Sequence, residues 1–180
     1  MEYGKFIEIE KKDAAKFMFI GKAVSGDETR YFLNFAFCAE NKLISTDGRR
    51  LHMLELGYNP YGFKDKAFYR VLKMNTKVVW FVEITSEVGQ FPDTWKKVMP
   101  KGKHKTMNFI MLSSKYRVNG NYINIAKLMR EIPEKFAINF SFLEDLMKNV
   151  DWKAHIFEEE KAIKFTYRDL TAVIMPLGAT

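Results

Sequence analysis

Residues 29–54 read TRYFLNFAFCAENKLISTDGRRLHML. Two turn signals divide this apolar stretch. Tyr31 to Phe37 and Lys42 to Ser45 are predicted strands joined tightly at Glu40-Asn41, because asparagine tolerates the left-handed backbone that a short hairpin requires. Thr46-Asp47-Gly48 marks the next turn, where an aspartate bonds its own backbone and a glycine supplies the unusual φ. Leu51 to Leu56 follows as a third strand. Consecutive strands joined by turns this short pair antiparallel.

Upstream, Phe6 to Glu10 (FIEIE) alternates apolar and charged residues at the period of a strand. Asp13 is positioned to cap a helix running to about Val24, with Lys12 and Lys16 four apart on its polar side. Downstream, Gly57 to Lys66 reads as a loop, and Ala67 to Leu72 with Val78 to Ile84 as a hairpin around Met74-Asn75-Thr76. Gly89 to Pro100 is irregular and runs into lysines, which places a domain boundary there and gives domains 1–100 and 101–180. Beyond it, Thr106 to Leu112 is expected to pair with Tyr116 to Val118 around Ser113-Ser114, and Asn119-Gly120 to turn. Ile123 to Ile132 has helical spacing and stops before Pro133. Phe136 to Phe140 reads as a strand, and Ser141 with Glu144 as a capping box opening a helix. Ala154–Phe157, Ala162–Tyr167 and Ala172–Leu177 complete the set as strands. The expected class is α+β, with two tandem domains that each carry an antiparallel sheet and one or two short helices.

The composition fits a globular chain: 180 residues, 47% hydrophobic and 28% charged, with a formal net charge of +7. The excess of lysine and arginine favours polyanionic partners and is spread along the chain. Its densest cluster, from Lys96 to Lys105, reads either as a phosphate-contacting patch or as a solvated linker. A lone Cys38 excludes an intramolecular disulfide, and His52, His104 and His155 form no metal-ligand pattern, so no metal or cofactor is expected. With no long apolar run and no signal-peptide core, the expected location is cytoplasmic, without a membrane. No glycine-rich phosphate loop, nucleophile elbow or zinc-protease helix occurs, and a non-enzymatic binding role is the default. Glu158-Glu159-Glu160 reads as a solvated hairpin tip rather than a metal site, and Cys38 as core rather than nucleophile. Most of the aromatic residues sit at core positions, which leaves few for base stacking.

Four segments, taken in order, resemble one family. TRYFLN at 29–34 and STDGRRL at 45–51 match the Arg-Tyr-Tyr-Leu-Asn strand and Thr-Asp-Gly-His-Arg-Leu turn of the bacterial DNA polymerase III beta subunit, the sliding clamp. Phe91-Pro92-Asp93 through Val98-Met99-Pro100 resembles the segment leaving that clamp's middle domain. AINFSFLEDL at 137–146 is similar to a strand-to-helix step in its last domain, and AVIMPL at 172–177 to its C-terminal strand. Arg49 stands where the family has a histidine, and the hairpin at 67–84 falls where the middle domain has its second helix.

The resemblance implies a protein that holds a polymerase on double-stranded DNA without reading sequence. With only two domains per chain, a six-domain ring would require a homo-trimer. The resemblance places the DNA-facing cations on helices, and the candidates are Lys12, Lys16, Lys22, Lys127, Arg130 and Lys148. It also implies a groove that captures short linear motifs of DNA polymerase and clamp-loader-type proteins. The matching positions are Arg30, Phe32, Leu33, Thr46, Gly48, Arg49, Leu51, Pro100, Val173, Met175 and Leu177. Two alternatives are a relative that keeps the groove without forming a ring, and an unrelated β-rich nucleic-acid-binding module.

Overall fold

A computed structural model of the chain describes residues 1–112, 117–133 and 137–175, with residues 28, 93, 94 and 117–123 described by their backbone alone. The chain divides into two compact units, Met1–Asp93 and Thr94–Thr180. The structure is α+β, with antiparallel strands and few helices.

The first unit opens with β1 (Tyr3–Glu10), which runs directly into α1 (Lys11–Gly21). A meander follows: β2 (Ala36–Ala39), β3 (Lys42–Thr46) and β4 (Arg50–Glu55). The hairpin β5 (Ala67–Met74) and β6 (Val78–Ile84) completes the sheet in the order β1-β6-β5-β2-β3-β4. The β2–β3 turn has φ of 52° at Glu40 and 58° at Asn41, the conformation of a two-residue hairpin loop.

α1 packs across one face of this sheet and buries Ala14, Phe17, Phe19 and Ile20. A helix end leaves carbonyls unpaired, and here side chains from the sheet take them up. Ser45 donates to Ile20 O at 2.6 Å, its cross-strand partner His52 donates from Nδ1 to Phe19 O at 2.6 Å, and Arg50 Nη2 donates to Lys22 O at 2.5 Å. The two buried polar residues of β3 and β4 thereby fix where α1 ends. The expected cap at Asp13 lies instead in the first turn of α1, where its carboxylate accepts from the Tyr61 hydroxyl at 2.5 Å.

The loop from 57 to 66 contributes core. Phe63, 4% exposed, lies with its ring centroid 5.8 Å from Phe17, 4.8 Å from Tyr69 and 5.5 Å from Phe81. Asn59 holds the loop shape by donating to Phe63 O and accepting from Phe63 N. The hairpin β5–β6 is thus covered by an ordered loop on the α1 side. On the opposite face Phe35 packs with Val82, Ile84 and Phe68. Phe91 stacks on Phe37 at 4.8 Å, so the Phe-Pro-Asp landmark closes that second layer.

The second unit begins with β7 (Lys105–Phe109) and continues into α2 (Arg117–Glu131) and α3 (Phe140–Glu144). Its meander is β8 (Trp152–Phe157), β9 (Ala162–Tyr167) and β10 (Leu170–Ile174), in the order β10-β9-β8-β7. Trp152, Ala154, Ile156, Phe165, Ala172 and Leu143 are fully buried.

Four expectations are corrected. Most of the strand predicted over Tyr31–Phe37 lies in a 3₁₀ segment, Glu28–Asn34, that is broken at Arg30 (φ −116°, ψ 57°); Asp27 Oδ1 accepts from the Thr29 amide at 2.8 Å and hydroxyl at 2.7 Å and starts its first turn. Val118 and Asn119-Gly120 lie inside α2 rather than in a strand and a turn. Gly120 falls in the first turn of α2, and a glycine inside a helix costs about 1 kcal/mol, which the remaining bonds of a fifteen-residue helix outweigh. Phe140 opens α3 rather than ending a strand, and its cap is Asn139, whose Oδ1 accepts from Ser141 N at 3.0 Å, so Ser141 is not the cap. The last strand ends at Ile174 instead of Leu177. Residues 113–116, Phe136 and Leu177 lie outside the described residues.

Candidate functional site

In the first unit the turn between β3 and β4 brings several groove candidates together. Asp47 Oδ1 accepts from the amides of Arg49 (2.9 Å) and Arg50 (3.0 Å), while its Oδ2 pairs with Arg50 Nε at 3.0 Å. The Gly48 amide donates to Thr46 Oγ1 at 3.0 Å, and Thr46 faces Leu51 across the strands. Gly48 has φ of +87°, and a Cβ placed there would meet Arg30 Nη1 at 2.6 Å. Arg30 therefore lies over Gly48, although the two are eighteen positions apart in the chain. Arg30, Gly48 and Arg49 are exposed, Phe32 and Thr46 half-buried, and Leu33 and Leu51 buried. The Leu33 carbonyl accepts from Ser25 N at 2.9 Å, which ties the 3₁₀ segment back toward the end of α1.

In the second unit Val173 and Met175 are two residues apart, at and just past the end of β10. Val173 is 0% exposed and Met175 36%. Pro100 is buried at the start of this unit.

The predicted cations fall on the helices and their ends. Lys12 is exposed and Lys16 half-buried on α1, and Lys22 is that helix's C-cap. Lys127 and Arg130 are exposed on α2. With Lys105, Glu131 and Ile156 they line a pocket of about 380 Å³ between α2 and the β7–β8 edge of the second unit's own sheet. Lys148 is half-buried, and its ammonium donates to the Glu144 carbonyl after α3.

Lys105 belongs to the cluster read as a phosphate-contacting patch or a solvated linker, and was not among the cations assigned to helices. Its cross-strand partner is Ile156, so it stands on the same face of the sheet as α2. Only the strand register could have shown this. The glutamates of the β8–β9 tip also have work that sequence reading missed. Glu160 accepts from the amides of Lys101 (3.0 Å) and Gly102 (2.5 Å), and Glu158 pairs with Lys105 at 3.2 Å. Among the described residues no group of three metal-ligating side chains comes together. Cys38 is buried, and burial, followed by the charge of Asp65, pushes its thiol up to about 11, which keeps it protonated and unreactive. No helix among the described residues is long and apolar enough to cross a membrane.

The class that this fold defines is the clamp-like α+β proteins, built from antiparallel sheets with helices packed against them. Within that class the likeness is to DNA polymerase III beta sliding clamps. The clamp of Borrelia burgdorferi, solved with a natural product, aligns at a TM-score of 0.56 and 16% identity, over 99% of this chain and 64% of its own. That of Pseudomonas aeruginosa, solved with a ligand, aligns at 0.59 and 13%, over 97% and 66%. The C. crescentus clamp, with polyethylene glycol bound at a region proposed to tether the beta motif, aligns at 0.56 and 14%, over 98% and 66%. The chain thus spans no more than about two-thirds of these clamps' length. No family model and no curated protein matches it.

Proposed function

We propose that this protein is a sliding-clamp-like processivity or scaffold factor. In this reading it binds duplex DNA without sequence preference and captures short linear motifs of replication proteins such as a DNA polymerase or clamp loader. The observation that carries the reading is the fold likeness, which extends over nearly the whole chain and not over a fragment of it. Phosphate contacts through flexible cations position DNA and carry no sequence information. The exposed Lys12, Lys127 and Arg130 suit that task, with Lys16 and Lys22 on and at the end of the same helix as Lys12, and Lys148 just after α3. The protein performs no chemistry of its own in this reading, and it acts in the cytoplasm.

The peptide contacts rest on the candidates already placed. Exposed Met175 offers an adaptable apolar surface, Gly48 allows close approach of a guest backbone, and Arg30 and Arg49 offer cations for carboxylates or carbonyls. Domains 1–100 and 101–180 act as two clamp modules, and three copies build the six-module ring. Each unit's sheet has an outer strand available for a partner: β1, with Tyr3 and Phe6 half exposed, and β7.

Light scattering across a concentration series together with retention on closed circular DNA tests the proposal. A trimer that stays on circular DNA and leaves linear DNA supports the ring, and a monomer that retains neither refutes it. A second reading, a non-ring regulator that keeps the groove, is favoured by one feature. The β5–β6 hairpin occupies the position that the resemblance assigns to a second helix, leaving the first unit one α-helix among its described residues. In that case a monomer still binds the linear motif, and Met175→Asp abolishes the binding.

A further inference from the structure

Across the second unit's sheet, Thr106, His155, Lys164 and Val173 form one row of partners, and Asn108, Lys153, Thr166 and Thr171 form the next. Strand side chains alternate between faces. β8 buries Trp152, Ala154 and Ile156 and leaves Lys153 exposed and His155 half-buried, so His155 and its row stand on the opposite face of the sheet from that core, with Thr106 of the row also reaching the rim of the α2 pocket. Apart from buried Val173, every member of the two rows is at least partly exposed. The His155 imidazole is held in place from both sides, with Nδ1 3.2 Å from Thr106 Oγ1 and Nε2 3.1 Å from Thr166 Oγ1. The His104 ring packs 5.0 Å from His155 and 4.6 Å from Phe157.

Among the described residues the charges that act on His155 are those of His104 from the segment before β7, Lys153 on its own strand, and Lys164 on β9. Of the three carboxylates at the end of the same hairpin, Glu158 pairs with Lys105 and Glu160 with backbone amides, while Glu159 is exposed; none of them is among the charges that act on His155. Two lysines, two histidines and two threonine hydroxyls therefore converge with no acid among them.

We propose that this face, centred on His155, binds the phosphodiester backbone of a nucleic acid at a site separate from the cations of α1 and α2. A nucleic acid fits better than an acidic peptide. β7 is an edge strand that a peptide backbone could pair with, but side-chain specificity for a peptide comes from apolar pockets, and the exposed part of these two rows offers only hydroxyl, amide, imidazole and ammonium groups. The proposal goes beyond the clamp reading and does not require a ring. Burial first, and then His104, Lys164 and Lys153, hold the His155 imidazole below its usual range, so it is neutral near pH 7 in the free protein. A bound phosphate offsets those cations and draws a proton onto the ring. Binding therefore tightens as the pH falls.

The test uses a short oligothymidylate and the full-length protein, in the wild type and in a Lys127→Glu/Arg130→Glu background that removes the helix cations. Affinity at low salt is expected to rise several-fold from about pH 8 to about pH 6. It is expected to fall about ten-fold in Lys153→Ala/Lys164→Ala, in either background, as the loss of two phosphate contacts requires. His155→Gln should flatten the pH profile while keeping most of the affinity at high pH. In the wild type the His155 imidazole resonances should titrate at a higher pH once the oligonucleotide is bound, a readout that needs no variant. An unchanged His155 titration, unchanged affinity in the lysine variant, or equal competition by polyglutamate would overturn the proposal. Loss of duplex binding in the helix variant with oligothymidylate binding intact separates this site from the clamp reading.

Discussion

Replacing Gly48 by alanine tests the geometry of the β3–β4 turn and the role of Arg30 together. The glycine has φ of +87°, where a Cβ is strained in any surroundings. A left-handed residue costs roughly 1–2 kcal/mol when it is not glycine. The new methyl would also meet Arg30 Nη1 at 2.6 Å, but that nitrogen ends a long flexible side chain and can swing away at little cost. The folding penalty therefore belongs to the backbone and should persist in an Arg30→Ala background, with a coupling below about 0.5 kcal/mol. For a domain of this size 1 kcal/mol shifts the midpoint by about 4–8 °C, so a loss of roughly 5–15 °C is expected. Urea and thermal melts followed by tryptophan fluorescence measure it. Linear-motif binding should behave oppositely. Gly48→Ala displaces Arg30, so it should weaken the peptide about as much as Arg30→Ala does, and the double variant should lose nothing more. An alanine variant as stable as the wild type would refute the turn geometry, and additive losses of affinity would refute the role given to Arg30.

Three further outcomes follow from the structure. Phe63→Ala should cost about 3–5 kcal/mol, the range for a large buried aromatic, whereas Tyr58→Ala in the same loop should be silent because Tyr58 is 96% exposed; equal melting points would mean that the loop carries no core. Lys127→Glu/Arg130→Glu should weaken duplex binding and reduce the slope of log affinity against log salt by about 2, read from a salt titration. Glu83 has its carboxyl held below the ordinary 4.5 by Lys64, which bonds both oxygens at 2.7 and 2.8 Å, and by the Lys5 amide, against opposing burial. Its stabilisation is complete above that ordinary value and is lost as the pH falls through the lower folded one. Glu83→Gln should therefore be less stable at neutral pH, with a flatter acid limb in denaturation midpoints measured against pH.

The meander was legible wherever turn chemistry and strand period agreed. Glu40-Asn41, Thr46-Asp47-Gly48 and the β5–β6 hairpin all carry side chains that fix the local backbone, and the structure forms each of them. Errors arose where a neighbouring group outvoted the period. Tyr31, Leu33 and Phe35 alternate as a strand would, yet Asp27 captures Thr29 to start a first 3₁₀ turn, and a second turn follows the break at Arg30 and takes in Tyr31 and Leu33. Asn139 does the same for α3 two residues ahead of the expected cap. The candidate surfaces were less legible because they depend on register. Arg30 over Gly48 follows from a motif, but Lys105 beside Arg130, and His104 against His155, are set by which residues face each other across β7 and β8.

Both units start from the same plan, a strand, a helix and a three-stranded meander, and they differ in what lies between the first strand and the meander. In the second unit β7 pairs directly with β8. In the first, β5 and β6 are inserted, so that β1 pairs with β6 and β5 with β2. Two extra strands widen the sheet beyond what the eleven residues of α1 can cover. An apolar sheet face left bare would invite association, and the chain solves this with Phe63 and Tyr61 packed beside Phe17 on one side and Phe91 on Phe37 on the other. A loop and an aromatic strap replace a helix as cover, at the loss of a helical surface that could carry cations. In the clamp reading the electrostatic hold on DNA then depends on fewer helical positions. The charges on α1 and α2 become individually more important, and single substitutions at Lys12 or Lys127 should be felt more than in a protein with two cationic helices per module.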